Sequence, residues 1–217
     1  MEASRPSSRG YTPRMRSDLD SVRHLPACGY RRLRWRNGLG WTREIHAASM
    51  GERDGGDWDW RLSIAEIEAD GPYSLFPGVE REQVLLSGEG LELDFDAGER
   101  RLLEPPHGRQ RFGGGEGLHA RLQAGRVEVF NLMWRPASVD AQLWHRPLVG
   151  SMLLFADPGS TWAVHVMAGR ATVDDGRGRP LLEMGDSVLL EGDGERERYL
   201  LEGSGELLVV RVEPVAQ

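Results

Sequence analysis

The chain has 217 residues, of which 39% are hydrophobic, and a formal net charge of −7. All 27 basic residues are arginine, and the absence of lysine excludes Schiff-base chemistry, a pyridoxal-phosphate lysine and a Walker-type phosphate loop. With Cys28 as its only cysteine, the chain has no intrachain disulfide. It has no apolar run of about 18 residues and no apolar N-terminal segment, so we expect a cytoplasmic protein with no membrane span.

Charge is distributed unevenly along the chain. Residues 1–36 carry nine arginines against Glu2, Asp18 and Asp20, a balance of +6, so the remainder carries −13. An acidic body argues against nucleic acid as the main partner. Residues 1–20 are rich in Arg, Ser and Pro and show no apolar period, which predicts a disordered leader. An interaction protein whose leader contacts a partner is a further hypothesis.

The first predicted elements are short. Residues 22–30 predict a strand or a turn. The sequence WRNGLGWTRE follows at 35–44, where Asn37 and Gly38 are typical turn residues and Thr42 begins an alternating segment. Its glycines fit a plain hairpin, or a backbone that approaches a ligand closely.

Residues 58–65 alternate in the period-2 pattern of a strand. The large apolar side chains fall on one face, and Arg61 and Ser63 fall on the other. Turns are predicted at 70–72 and at 76–78, and a second strand, residues 83–86, follows shortly after Arg81. The two arginines therefore bracket a turn-rich loop that begins at residue 70 and includes Phe76. This arrangement fits either a ligand site or a surface strand with solvated charges.

The rest of the chain repeats short strands and Gly or Pro turns. Residues 127–134 form a strongly apolar strand in which Asn131 is the one neutral polar residue, so its amide needs a hydrogen-bonding partner. Residues 164–173 repeat the strand, Gly turn, strand pattern of residues 84–93, which suggests an internal duplication. We predict an all-β fold of two cupin-like barrel or jelly-roll units in one compact body, over residues 21–135 and 136–217, with strand sharing between them left open.

The chain resembles the HutD/Ves family, a group of bicupins. The resemblance is carried, in order, by WRNGLGWTRE at 35–44, WRLSIA at 60–65, GPYSLFPG at 71–78 and FNLM at 130–133, and it spans most of residues 24–214. Leu39 replaces an expected glycine and Tyr73 an expected phenylalanine. The resemblance implies a bacterial cytoplasmic protein that binds a histidine-degradation intermediate, N-formylglutamate, and moderates histidine utilisation. Ves members are linked to cold and stress responses, and no firm enzymatic activity comes with the family.

The residues give little support for a metal site or for nucleophilic catalysis. The six histidines are at least 12 positions apart and form no His-x-His pair, so we expect no metal or other cofactor and interpret each histidine as a loop or surface residue. No Gly-x-Ser-x-Gly elbow occurs. The main alternative to a binding protein is a cofactor-free, isomerase-like cupin enzyme that acts on a small carboxylate with Glu44 or His46 and Arg61.

What remains is a polar pocket suited to a small carboxylate ligand, because arginine offers a fixed fork of donors to carboxylates. A homodimer is compatible with the sequence. The predicted ligand-binding residues are Asn37, Gly38, Thr42, Arg61, Ser63, Phe76, Arg81 and Asn131.

Overall fold

The computed structural model describes residues 21–35, 37–49, 58–174, 180–192 and 194–215. The leader predicted at residues 1–20 lies outside this part of the chain. The described residues form sixteen strands and one 3₁₀ turn, Ala27–Gly29, without an α-helix. They include no helix long and apolar enough to cross a membrane. The all-β prediction is confirmed.

The strands are, in chain order, β1 (Val22–Leu25), β2 (Arg31–Arg34), β3 (Gly40–Ala48), β4 (Trp60–Ile67), β5 (Gly71–Pro72), β6 (Glu80–Ser87), β7 (Leu91–Phe95), β8 (Arg100–Leu103), β9 (Arg109–Gly113), β10 (Leu118–Leu122), β11 (Val127–Trp134), β12 (Val139–Ala156), β13 (Thr161–Asp174), β14 (Leu181–Glu183), β15 (Ser187–Glu191) and β16 (Glu197–Pro214).

These strands form three antiparallel sheets. The central sheet has the order β2-β3-β4-β11-β6-β9, and the outer sheet has the order β5-β10-β7-β8. The C-terminal sheet has the order β1-β15-β13-β16-β12, with β14 paired to β13. The sheets are open and stacked, as in a jelly roll. The first described strand, β1, therefore pairs with β15 in the sheet built from the last strands. The division of the chain at residue 135 stays a prediction.

The central sheet packs against another sheet on each of its two faces. Because side chains alternate along each strand, they are divided between two hydrophobic cores. Trp60, Leu62 and Ile64 of β4 face a core shared with the C-terminal sheet. Ala65 and Ile67 lie on the opposite face, in a core shared with the outer sheet. Strand β11 divides its residues in the same way. The alternation predicted for residues 58–65 is confirmed, with the strand beginning at Trp60.

The C-terminal sheet is built from long strands that bend along a line of glycines. Gly169 of β13 pairs with Gly205 of β16, and Gly150 of β12 pairs with Gly203. A Cβ atom on Gly169 would lie 2.0 Å from the carbonyl oxygen of Ser204, so no other residue fits there without a shift. The bend lets the sheet enclose a core on its far side.

Two turn predictions are wrong. Residues 164–173 do not form two strands around a Gly turn, because Gly169 bends the single strand β13, which changes register between Val166 and Ala168 but continues to Asp174. Residues 70–72 are not only a turn between two strands. Gly71 and Pro72 pair with Ala120 and His119 as the short strand β5. The turn at Phe76 is present, where Val79 donates its N–H to the Phe76 carbonyl.

Candidate ligand-binding cavity

A cavity of about 380 Å³ opens on the face of the central sheet that looks toward the outer sheet. Seven of the eight residues predicted from the sequence line it, and Gly38 is the exception. The lining residues are Arg34, Trp35, Asn37, Thr42, Arg61, Ser63, Ala65, Pro72, Tyr73, Ser74, Phe76, Arg81, Asn131 and Met133. Their role in binding stays a prediction.

Strand register explains why residues that are far apart in sequence lie together on the cavity wall formed by the central sheet. Met133 of β11 lies between Arg61 of β4 and Arg81 of β6. In the next row on the same face, Asn131 lies between Ser63 and Gln83. Because side chains two apart share a face of a strand, these two rows place two cations and three neutral polar groups side by side.

Arg81 is the most unusual residue of the cavity. It is only 7% exposed, and its guanidinium lies 4.8 Å from the ring centre of Tyr73, 5.3 Å from that of Phe112 and 5.8 Å from that of Phe76. Burial and, to a smaller extent, the positive charge of Arg61 lower the pKa of Arg81 to about 10. Three aromatic rings therefore hold a desolvated cation at the cavity.

Arg81 has no negatively charged partner among the described residues. Its Nη2 atom donates to the amide oxygen of Asn131 at 3.1 Å, and its buried Nε atom has no acceptor within the described chain. No described carboxylate lies within 4.0 Å of its guanidinium nitrogens. A buried cation normally requires a counter-ion or full hydrogen bonding. Arg81 therefore keeps a buried donor without an acceptor among the described residues.

Asn131 has the hydrogen-bonding partners that a polar residue in an apolar strand requires. Its side-chain oxygen accepts hydrogen bonds from Arg81 and, at 2.8 Å, from Nε2 of Gln83. Nε2 of Gln83 also lies 3.3 Å from the Tyr73 hydroxyl. Since the amide oxygen of Asn131 is engaged twice, its NH₂ group is the part left to donate to a ligand.

Arg61 differs from Arg81 in having a carboxylate beside it. Its Nε atom lies 3.0 Å from Oε2 of Glu44, close enough for an ion pair but not aligned as a hydrogen bond. Glu44 also accepts from Arg31 at 3.0 Å. Arg61 is therefore partly neutralised, so Arg81 presents the less compensated charge.

The mouth of the cavity is formed by the turn before β3. Trp35 donates its Nε1–H to the Thr42 hydroxyl at 2.8 Å, which fixes both side chains on the cavity wall. The side-chain oxygen of Asn37 accepts from the Leu39 N–H in a local turn. Gly38 has a positive φ of 75° and belongs to this turn, outside the lining.

Sequence reasoning missed three residues of the arginine environment, Tyr73, Gln83 and Phe112. Gln83 had a usable signal, because it follows Arg81 by two positions in a strand and so shares its face. Phe112 lies on β9 and pairs with Arg81 of β6. The sequence alone does not predict this register.

The histidines lie away from the cavity, and their predicted surface positions are only partly correct. His165 is 4% exposed and contacts the Ser187 hydroxyl at 3.0 Å, so its interpretation as a loop or surface residue is wrong. His46 packs 4.8 Å from the Trp60 ring, on the face of the central sheet opposite the cavity. Within the described chain, one group of potential metal ligands occurs, His107, His145 and Glu206.

Comparison with known proteins assigns this architecture to a family. The HutD family profile matches residues 27–209, which is most of the chain. The chain belongs to the HutD family. It is 33% identical over 184 residues to an uncharacterised 21.2 kDa protein of the hutC 3′ region of Pseudomonas putida, covering 82% of this chain and 90% of that protein. It is 32% identical over 184 residues to protein Ves of Escherichia fergusonii, covering 80% and 85% of the two chains.

Solved structures agree with this assignment. HutD from Pseudomonas fluorescens SBW25, determined in a formate condition, superposes with a TM-score of 0.76 at 27% identity, covering 90% of this chain and all of that one. For the fold alone, YlbA from Escherichia coli superposes with a TM-score of 0.68 at 9% identity, covering 90% and 91% of the two chains. The HutD-family chain therefore has the cupin fold predicted from its sequence.

Proposed function

We propose that this HutD-family protein binds a small organic acid in the cavity and thereby moderates histidine utilisation in the cytoplasm. N-formylglutamate, or a related intermediate of histidine degradation, is the first candidate ligand. Family membership connects the chain to the histidine-utilisation gene context through its relative in the hutC region. The ligand itself is inferred from the chemistry of the cavity.

The observation that carries the proposal is the buried, uncompensated charge of Arg81. The free protein retains a desolvated guanidinium whose only hydrogen-bond acceptor among the described residues is the neutral oxygen of Asn131. Such an arrangement costs stability in the absence of an anion. A ligand carboxylate supplies the missing charge and accepts from the donors that point into the cavity.

The remaining lining residues suit an acyl-amino acid with two carboxylates. Arg61 and Arg81 provide two cationic positions separated by Met133, which matches a ligand with charge at both ends. In the adjoining row, Asn131 lies on the strand between those of the two arginines and Ser63 lies beside it on β4; the Asn131 NH₂ group and the Ser63 hydroxyl offer donors to an acyl oxygen. A volume of about 380 Å³ falls within the range typical of small-molecule sites.

The enzymatic alternative has less structural support. Its proposed acid–base groups, Glu44 and His46, are absent from the described lining of the cavity. Burial, followed by the positive charge of Arg23, lowers the pKa of His46 to about 4. The Glu44 carboxylate is engaged by Arg31 and Arg61.

Calorimetric titration tests the proposal directly. Wild-type protein is titrated with N-formyl-L-glutamate, with glutamate and with the neutral diamide of N-formylglutamate. We expect one site per chain for the dicarboxylate and a loss of affinity of at least about 100-fold for the diamide, because each charged hydrogen bond contributes roughly 1.5–3 kcal/mol. Equal affinity for the diamide, or no binding of any carboxylate tested, contradicts the proposal.

The matched control is Arg121→Ala. Arg121 is an exposed arginine on β10, paired with Asp94 at 2.7 Å and not among the residues that line the cavity. Its removal changes the net charge as much as the removal of Arg81 does. Affinity must survive in this variant if the site rather than the overall charge binds the ligand. Incubation with the same compounds, followed by product analysis, tests turnover.

A further inference from the structure

Two histidines and a glutamate that are far apart in sequence converge at one point outside the cavity. His107 lies in the connection between β8 and β9, while His145 is on β12 and Glu206 is on β16. The Nε2 atoms of both histidines lie 3.1 Å from the same oxygen, Oε2 of Glu206. The three potential ligand atoms all lie within 4.8 Å of one another. None of the three residues lines the cavity.

The hydrogen bonds around His107 make this convergence unusual. Its Nδ1 atom lies 3.2 Å from the main-chain carbonyl oxygen of Leu85, and a carbonyl oxygen only accepts, so Nδ1 carries the hydrogen. In a neutral imidazole the other nitrogen, Nε2, is then an unprotonated acceptor. It faces the Glu206 carboxylate, which is also an acceptor. Two facing acceptors need either a proton on Nε2 or a cation between them.

The position of His107 is set by its backbone. Its φ of 60° makes it the one described residue other than glycine with a positive φ. The next residue, Gly108, donates to the Glu104 carbonyl at 2.7 Å and accepts from the Leu85 N–H at 2.9 Å. His107 thus has a left-handed backbone conformation, and hydrogen bonds fix the residue that follows it. In this position its Nε2 atom lies next to Glu206 of the C-terminal sheet. Such local backbone strain is typical of functional positions.

We propose that His107, His145 and Glu206 form a binding site for a divalent transition metal ion of the zinc class, which joins the β8–β9 connection to the C-terminal sheet. Two imidazoles and one carboxylate are a common set of zinc ligands, and the Leu85 carbonyl supplies the outer hydrogen bond that orients a metal-binding histidine.

The geometry requires little rearrangement. In a tetrahedral site with metal bonds of about 2.0 Å, ligand atoms lie about 3.3 Å apart. Both histidine–glutamate distances, 3.1 Å, are close to this value. The imidazole rings have their centres 4.9 Å apart at an angle of 66°, and the ligand atoms lie within 4.8 Å of one another, so metal binding would draw the two imidazoles closer together. The side chains are between one quarter and one half exposed, which leaves a fourth position for water.

The chain has no His-x-His pair, the motif from which a cupin metal site is expected, and so no metal was predicted. The missing pair bears on a metal site within the cupin strands and not on a site assembled across sheets. The ligands proposed here come from three separate segments, and His145 and Glu206 are 61 residues apart. Only the pairing of β12 with β16 brings them together.

Calorimetric titration of tag-free, chelator-treated full-length protein with Zn²⁺ tests the proposal, and Mg²⁺ serves as a hard-cation control. We expect one Zn²⁺ per chain and no comparable binding of Mg²⁺. At a Zn²⁺ concentration of about 100 times the dissociation constant, the melting temperature should rise by roughly 5–10 °C. Absence of Zn²⁺ binding at one site per chain overturns the proposal.

The variants His107→Ala, His145→Ala and Glu206→Gln identify the ligands. Each should weaken Zn²⁺ binding by about 100-fold or more, since even outer hydrogen-bond partners contribute 10- to 100-fold. His119→Ala removes an exposed histidine on β10 and should bind Zn²⁺ like the wild type. Circular dichroism confirms folding, and Glu206→Gln keeps the side-chain shape if the alanine variants do not fold. Wild-type affinity in Glu206→Gln, or equal loss in His119→Ala, overturns the assignment.

Discussion

Arg61 and Arg81 lie in one cross-strand row of the central sheet, on either side of Met133, with both side chains on the face that lines the cavity. Like charges in one row repel each other, and burial, with a smaller contribution from the charge of Arg61, lowers the pKa of Arg81. Glu44 offsets part of the charge of Arg61, but no described carboxylate does so for Arg81. The free protein thus holds two nearby cations of which only Arg61 has a described carboxylate beside it, and the proposed anionic ligand would supply the missing negative charge.

Replacing Arg81 by methionine should separate binding from stability. Methionine fills a similar volume beside the three aromatic rings without the buried charge. We expect affinity for the dicarboxylate to fall roughly 100-fold. The melting temperature of the free protein should stay the same or rise, because a desolvated, uncompensated cation is removed. Calorimetry and thermal unfolding measure both; unchanged affinity together with a lower melting temperature would assign Arg81 a structural role.

Replacing Arg61 by alanine tests the second cationic position. We expect affinity to fall by roughly 10- to 100-fold, since a hydrogen bond to a charged group contributes roughly 1.5–3 kcal/mol. The competing explanation is that Arg61 serves as an ion-pair partner of Glu44. In that case the variant would melt at a lower temperature and bind with nearly wild-type affinity. Titration of the folded variant distinguishes the two outcomes.

Replacing Asn131 by aspartate should supply an internal counter-ion. The Asn131 oxygen already accepts from Arg81 at 3.1 Å, so an aspartate of the same shape would form a buried ion pair with that arginine. We expect higher stability of the free protein and a loss of carboxylate binding, because the new carboxylate competes with the ligand for the same donors. Undiminished affinity in Asn131→Asp would show that the ligand does not use Arg81.

Stability should fall as the solution is acidified, and His165 should account for a defined part of the change. Burial, with a smaller contribution from the charge of Arg43, lowers the pKa of His165 from 6.5 to about 4 in the folded protein. Below about pH 6.5 the unfolded chain therefore takes up a proton that the folded chain refuses. The free energy of unfolding should lose about 2 kcal/mol between pH 7.5 and pH 5 from this residue alone.

Urea unfolding of wild type, His165→Asn and His119→Asn at both pH values measures this contribution. Asparagine retains a donor near the Ser187 hydroxyl but does not titrate, so the pH-dependent loss should shrink by about 2 kcal/mol in His165→Asn. His119→Asn, at an exposed position, serves as the control for the substitution itself. The same pH dependence in all three proteins would mean that His165 titrates normally in the folded state.

The sequence predicted those parts of the fold that depend on local alternation. Strands β4 and β11 follow from period-2 patterns, and Asn131 signalled a polar requirement because it interrupts an apolar strand. The bend at Gly169 was not predictable, since a positive-φ glycine suits a turn as well as a strand that continues through a bulge. Its role depends on Gly205, which contacts it only through tertiary pairing.

The candidate site shows the same limit. Seven predicted residues line one cavity, largely because the family resemblance already grouped their motifs along the chain. Phe112 is one of the aromatic residues around Arg81, and Glu206 is one of the proposed metal ligands. Each lies on a strand whose pairing partner cannot be determined from the local sequence pattern. Contacts across sheets depend on register and strand order, which a single sequence specifies only through the whole fold.

A crystal structure of the protein with saturating N-formyl-L-glutamate is the most direct test of the central claim. The account predicts the ligand in the cavity, with one carboxylate within about 3 Å of the guanidinium nitrogens of Arg81, as in charge-assisted hydrogen bonds, and the other group near Arg61. A ligand bound at another surface, or a cavity that stays filled with solvent while Arg81 keeps Asn131 as its sole partner, would contradict it.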